Sequence, residues 1–288
     1  MTTKTKFSVD ALLPREIAVK AEEAGVLKAN YGPRRLLALG ILAGAFIAFG
    51  AIFATTVSTG STDYPYGISR LLSGLVFSLG LILVIIGGAE LFTGNNLIIM
   101  AWANRKISTQ KLLRNWFFVY IGNFVGSICV AGLLFFSGQY TFSNGAVGLS
   151  ALNIANSKVS LGFIEALSLG ILCNVLVCLA IWLAMSARSI TDKILAVTFP
   201  ITAFVAAGFE HSIANMYFIP IGIFIKKGAS NAFWSQIGMS SSNFSGITFE
   251  NMFVKNLLPV TIGNIIGGSL LVGAVYWALY LRNNEEQA

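Results

Sequence analysis

Long apolar runs separated by short polar breaks dominate the chain. Six segments reach the length of roughly 20 residues that a spanning helix needs: residues 36–57, 68–92, 116–137, 163–185, 194–225 and 257–281. The second has a short apolar continuation at 97–103, and the fifth consists of two pieces, 194–207 and 213–225, parted by a polar island. The stretches 138–162 and 226–256 are rich in Gly, Ser and Asn and read as loops on one side. Residues 8–30 predict a further helix: Leu12, Leu13, Ile17, Ala21 and Val26 roughly mark one apolar face, Pro14 suits a first turn, and Ser8 and Asp10 offer caps. This helix is expected in the cytoplasm, lying on the membrane or plugging a pore from below.

The two halves repeat. Leu39-Gly40-Ile41-Leu42 in the first span recurs as Leu169-Gly170-Ile171-Leu172 in the fourth. Ile121-Gly122-Asn123-Phe124-Val125-Gly126 in the third recurs as Ile262-Gly263-Asn264-Ile265-Ile266-Gly267 in the sixth. The second span then corresponds to the fifth, and these are the two interrupted ones. Three spans per half is an odd number, so the copies insert with opposite orientation, with discontinuous helices aimed at a site halfway through. The fold expected is an all-α membrane protein of six transmembrane helices in an inverted 3+3 repeat, helices 2 and 5 broken. Its divisions are an N-terminal segment 1–35, a first repeat 36–137, an external loop 138–162, a second repeat 163–281 and a tail 282–288. The spaced glycines Gly40/Gly44, Gly122/Gly126 and Gly263/Gly267 allow close helix contact.

Composition agrees: 56% of residues are hydrophobic and only 11% charged, against about 25% charged in soluble domains. The net charge of +7 sets topology. Basic residues gather in the N-terminal segment (Lys4, Lys6, Arg15, Lys20, Lys28, Arg34, Arg35), after the second span (Arg105, Lys106, Lys111, Arg114) and after the fourth (Arg188, Lys193). The opposite loops hold Arg70, Lys158, Lys226, Lys227 and Lys255. That excess puts both termini in the cytoplasm. The first 35 residues are polar and have no signal-peptide pattern. No aromatic-interleaved basic patch points to nucleic acid. Cys129, Cys173 and Cys178 lie in apolar runs without metal spacing, and a single histidine cannot supply the paired axial ligands of a transmembrane haem. No metal, cofactor or enzymatic activity is expected.

That one histidine, His211, sits in the island Gly208-Phe209-Glu210-His211-Ser212-Ile213-Ala214-Asn215-Met216. An ionisable group at membrane depth is costly and marks a functional site. The second span breaks at Ala89-Glu90-Leu91-Phe92-Thr93-Gly94-Asn95-Asn96. Non-helical backbone in a membrane is tolerated where it is buried in protein or lines a cavity, so the two breaks are expected to face each other across a path. Half-helices beginning near Asn96 and Ser212 aim their positive ends at it, which favours an anion. Glu90 and Glu210 read as clamps of the bent backbone, with Asn215 beside them. No Asn-Pro-Ala tripeptide of a neutral-solute pore occurs.

The stretches Ala89 to Thr93, Gly208 to Met216 and Pro259-Val260-Thr261-Ile262-Gly263-Asn264-Ile265-Ile266-Gly267-Gly268 resemble the signatures of the formate/nitrite transporter family, most of all its bacterial formate channels. The resemblance implies an aquaporin-like homopentamer in the bacterial cytoplasmic membrane, with one pore per protomer. It implies passage of small monovalent anions: formate, nitrite, hydrosulfide and acetate. By position it makes His211 the central pore histidine and Thr93 its partner. Leu81, Leu91 and Phe204 match hydrophobic constrictions, with Phe77 and Phe92 near the path. Asn174 matches a polar pore residue and Lys158 a lysine of the outer vestibule. The run Gly94-Asn95-Asn96 leaves the mobility of that loop open. Hydrophobic rings on both sides of His211 would strip water from an ion, and Lys158 and the helix dipoles would lower the cost. His211 is expected to donate a hydrogen bond or a proton to the anion, with Thr93 positioning it. Anion flux at neutral pH and proton-coupled uptake from an acidic outside would follow.

Overall fold

The computed structural model of the protein describes residues 10–60 and 64–282. Lys4, Lys6, the Ser8 cap and the tail beyond Arg282 lie outside the described residues. Within them the structure is helical, and five helices are long and apolar enough to cross a membrane: Pro33–Ser58, Tyr66–Gly87, Thr109–Phe136, Phe163–Ser186 and Ser241–Tyr280.

In chain order the helices are α1 (Pro14–Ala29), α2 (Pro33–Ser58), α3 (Tyr66–Gly87), α4 (Ile99–Ala103), α5 (Thr109–Phe136), α6 (Ala146–Val159), α7 (Phe163–Ser186), α8 (Ile190–Ala206), α9 (Ser212–Gly228) and α10 (Asn231–Gln236). A last helical rod runs from α11 (Phe249–Asn251) through α12 (Leu258–Ile265) to α13 (Val275–Tyr280), with wider π-helical turns at Met252–Leu257 and Ile266–Ala274. Pro259 follows the first wide turn, where its missing N–H would otherwise leave a gap in the ladder. The apolar stretch 194–225 becomes α8 and α9, 17 residues each. The second apolar stretch ends with α3; its continuation is a 3₁₀ turn, Gly94–Ile98, leading into the short α4.

Helix α1 departs from the expectation of a surface helix or a free plug. Ile17, Ala18, Ala21, Glu22, Gly25 and Ala29 are buried, in a cluster with Ile98, Met100, Ala101 and Trp182. Leu13 is its N-cap, Pro14 opens the helix, and the Leu13 N–H donates to Glu16 Oε2 at 2.7 Å, so Asp10 is not the cap. Lys20 Nζ donates to Met185 O at 2.7 Å and Ser186 Oγ to Leu12 O at 3.0 Å, tying α1 to the end of α7.

The helix crossings that hold the core together are made by glycines. A Cβ on Gly40 would lie 3.0 Å from Val119 O, and one on Gly122 2.9 Å from the Gly40 Cα, so α2 and α5 touch backbone to backbone. Helices α7 and α12 meet the same way, a Cβ on Gly170 falling 2.8 Å from Val260 O. At Gly126 a Cβ would overlap the Ile41 carbonyl. Gly126→Ala is therefore expected to cost about 1–3 kcal/mol or more through overpacking against rigid backbone. The drop in thermal midpoint of the purified protein measures it, with Gly132→Ala as control, since that Cβ would meet only Phe224 Cε2 at 3.9 Å. Outward faces carry large exposed apolar side chains, among them Phe117, Leu133, Phe136 and Phe199; that suits hydrocarbon and not water.

Candidate functional site

The site grows from two helix ends. Helix α3 stops at Gly87, and Gly88 takes the left-handed conformation (φ 74°). Helix α8 stops at Ala206, and Gly208 does the same (φ 77°). A glycine in that position ends a helix without Cβ strain. A glutamate follows each: Glu90 N–H donates to Leu39 O at 3.2 Å and Glu210 N–H to Leu169 O at 3.3 Å. The repeated Leu-Gly-Ile-Leu motif thus supplies the carbonyl that receives each break.

The asparagine of the other repeated motif satisfies the rest of the non-helical backbone. Asn123 Nδ2 donates to Gly40 O at 2.8 Å and Glu90 O at 2.9 Å, while its Oδ1 accepts from Phe92 N–H at 2.9 Å. Asn264 Nδ2 donates to Gly170 O at 2.8 Å and Glu210 O at 3.0 Å, while its Oδ1 accepts from Ser212 N–H at 2.9 Å. Both amides are fully buried, and each settles two carbonyls and one N–H that a bilayer could not hydrate.

Both carboxylates are held by buried amides and an ammonium. Glu90 accepts from Asn95 Nδ2 at 2.7 Å and pairs with Lys28 at 3.2 Å. Glu210 accepts from Asn215 Nδ2 at 2.6 Å and Asn256 Nδ2 at 3.1 Å and pairs with Lys158 at 2.8 Å. Asn115 and Asn256 complete the two sets, donating to Lys28 O at 3.1 Å and Lys158 O at 2.9 Å. Sequence reasoning missed Lys28, Asn115 and Asn256 as members of the site. A signal existed: Lys28 precedes Gly32 by the spacing at which Lys158 precedes Gly162, and Asn115 precedes Asn123 as Asn256 precedes Asn264. Helix α1 stands to the first break as α6 stands to the second.

His211 caps α9. Its Nδ1 accepts the Ala214 N–H at 3.1 Å, so the neutral ring carries its proton on Nε2, which lies 2.8 Å from Thr93 Oγ1. The two breaks are joined through this contact, and both side chains are buried. The positive end of α9 lies behind the ring. A cavity of about 720 Å³ runs to His211, and Phe77, Phe204, Phe209 and Phe218 are part of its wall together with Arg70, Lys158, Glu210 and Asn215. The Phe204 ring sits 5.9 Å from the imidazole and meets Phe77 edge-on at 5.7 Å, forming an apolar neck beside it.

Leu81, Leu91, Phe92 and Asn174 fall outside that wall. Leu81 and Leu91 are buried. Phe92 packs edge-on against Tyr120 at 4.9 Å and Trp116 at 6.1 Å, on α5. Asn174 works as a tie: its Nδ2 reaches Asn264 O at 2.7 Å, Asn96 Oδ1 at 2.8 Å and Thr93 O at 3.2 Å. Lys158 borders the cavity, but its ammonium is engaged by Glu210 and stands 5.3 Å over the Phe218 ring. The loop after Thr93 is pinned. Asn95 bonds Glu90, Asn115, Lys28 and, through its carbonyl, Trp116 Nε1 at 3.0 Å, and Asn96 bonds Phe92 O and Asn174. Among the described residues no group of three or more His, Cys, Asp or Glu could hold a metal.

The profile of the formate/nitrite transporter family matches residues 15–278. The chain belongs to that family. Formate channel FocA of Escherichia coli is 49% identical over 276 residues, covering 96% of this chain and 97% of the relative. Formate channel FocA of Haemophilus influenzae is 44% identical, covering 93% and 94%. A solved pentameric formate channel with formate bound superposes with a TM-score of 0.83 at 46% identity, covering 87% of this chain and 98% of that one. As a formate/nitrite transporter family member the chain is a membrane transport protein and not an enzyme.

Proposed function

We propose that the protein is a membrane channel for small monovalent anions, chiefly formate, assembled as a homopentamer with one pore per protomer. The hydrogen bond between His211 Nε2 and Thr93 Oγ1 at 2.8 Å, at the inner end of the cavity, carries this reading. A donor already fixed by its own cap needs no reorganisation to turn from Thr93 to an anion. The likeness to a pentameric formate channel with formate bound supports both the substrate and the assembly.

The matched hydrogen bonds around Glu90 and Glu210 support an inverted 3+3 repeat of six spans, with α3/α4 and α8/α9 as its broken members and α1 and α6 as equivalent flanking helices. We draw the transmembrane repeats at 36–137 and 163–281. The charge distribution supports both termini in the cytoplasm of a bacterial cell, the inner membrane being the site. Phe77 and Phe204 form the outer constriction; Leu91, with Leu81, forms the inner one. An anion crossing the outer ring loses water, and a bare charge there is expensive. His211 offsets that cost with its Nε2–H; alternatively, an imidazolium formed by taking up a proton from outside, with Nδ1 released from the Ala214 N–H, hands one proton to the anion and returns to the neutral ring, so that neutral formic acid crosses the apolar ring. Thr93 fixes the anion's position. Nitrite, hydrosulfide and acetate share the charge and small size and pass the same ring, with protons as the coupling ion.

Flux into liposomes tests this. Formate, nitrite, hydrosulfide and acetate are compared at neutral and acidic external pH for the wild type and His211→Asn. Formate uptake well above protein-free liposomes, rising with external acidity only in the wild type, is the expected result. Preference for nitrite over formate would move the substrate assignment, and no anion flux would end the channel reading.

A further inference from the structure

Resting on the channel reading, we infer that Arg70 recruits the anion: it is a positioning residue of the cavity leading to His211. Lys158 is the residue to which charge would first be ascribed, yet its ammonium lies 2.8 Å from Glu210 Oε1, and the pair is neutral as a unit. Arg70 also borders the cavity, and among the described residues it forms no ion pair. The titratable groups on the cavity wall are Tyr66, Arg70, Lys158, Glu210 and His211. With the carboxylate and one cation cancelling, the standing charge that faces an arriving anion, among the described residues, is the guanidinium.

Its placement has a second consequence. Arg70 Nε donates to Ala206 O at 3.1 Å and Nη2 donates to Val205 O. Those carbonyls are the end of α8, which carries about half an elementary negative charge at the mouth of an anion path. The guanidinium covers that end and exceeds it in charge. A Cβ on Gly208 would lie 3.4 Å from Arg70 Nη2, so the side chain rests against the turn that leads into Glu210 and His211. Of the five N–H donors of a guanidinium, two are spent on α8, and among the described residues the rest have no protein partner.

The test is the initial rate of formate uptake into liposomes, against formate concentration, at low and high ionic strength. It compares wild type, Arg70→Gln, Arg70→Lys and Tyr66→Glu. Tyr66 is exposed, borders the cavity and lies one helical turn before Arg70, so a carboxylate there cancels the charge without touching the α8 cap. Arg70→Gln and Tyr66→Glu should lower uptake about tenfold at low salt and subsaturating formate, with the gap closing at high salt. Arg70→Lys should stay near the wild type. If Arg70→Gln fails to assemble, Tyr66→Glu alone decides. Wild-type salt dependence in either neutralised variant, or an equal loss in Arg70→Lys, would overturn the proposal and leave Arg70 a helix cap. Absence of uptake by the wild type would overturn the channel reading and this with it.

Discussion

Replacing His211 by phenylalanine is expected to slow formate flux by about tenfold to a hundredfold, the worth of one hydrogen bond to a charged partner, roughly 1.5–3 kcal/mol. Phenylalanine fills the ring's volume against Phe204, so the apolar neck survives. Two polar functions go: the Nε2–H that meets Thr93 and the Nδ1 that accepts Ala214 N–H. The dependence of flux on external pH should flatten. His211→Asn separates the two functions, because asparagine is a good N-cap. It should keep α9 anchored, pass formate at an intermediate rate and show no pH dependence. The check is uptake into liposomes at two external pH values. An unchanged pH profile in His211→Phe would remove the imidazole from any proton step.

Lys158→Met is expected to cost about 3–5 kcal/mol, the usual penalty for stripping one partner from a buried ion pair. The Glu210 side chain is only 6% exposed and has Asn215 and Asn256 as its remaining partners. Two amides do not neutralise a carboxylate. The double variant Lys158→Met/Glu210→Gln should recover most of the loss, since the amide oxygen still accepts from its neighbours and no charge is left behind. Thermal midpoints of the purified oligomer, taken through the full double-mutant cycle, give the coupling. Additive losses would mean that Lys158 and Glu210 do not act as a pair in the folded protein.

Much of the site was legible as pattern. The recurring Ile-Gly-Asn marks α5 and α12, and its glycines read correctly as contact points. The asparagine between them gives no hint, as sequence, that it holds the backbone of a break more than thirty residues away, because an amide's partners are set by tertiary approach. Glu90 and Glu210 stand out in the sequence as carboxylates beside the polar interruptions, and each is hydrogen-bonded and ion-paired in the fold. Lys28 does not stand out, because α1 looked like a weakly amphipathic surface helix, and only its docking against the Gly94–Ile98 turn brings the ammonium to Glu90.

Asn174 shows the same limit in another form. Its repeat partner is Gly44, so the sequence reveals a difference between the halves but not its use. In the fold, Gly268 leaves room for the Asn174 amide, which crosses into the first half to hold Thr93. Opposite Gly44 stands Ser127, whose hydroxyl donates to the Gly44 carbonyl at 3.1 Å and reaches no further. Phe92 likewise follows its neighbours: Trp116 and Tyr120 draw it onto α5, away from the cavity.

By itself the sequence determined that this is a helical membrane protein with one ionisable ring in a polar island between apolar stretches. Those features follow from apolar length and the cost of bare backbone in hydrocarbon, both local and additive along the chain. The tertiary structure decided which polar groups find each other: Thr93 with His211, Glu90 with Lys28, Arg70 with the end of α8. Such pairings depend on distances between residues far apart in the chain, and a directional bond of about 3 Å is fixed only when the helices that carry both partners have packed.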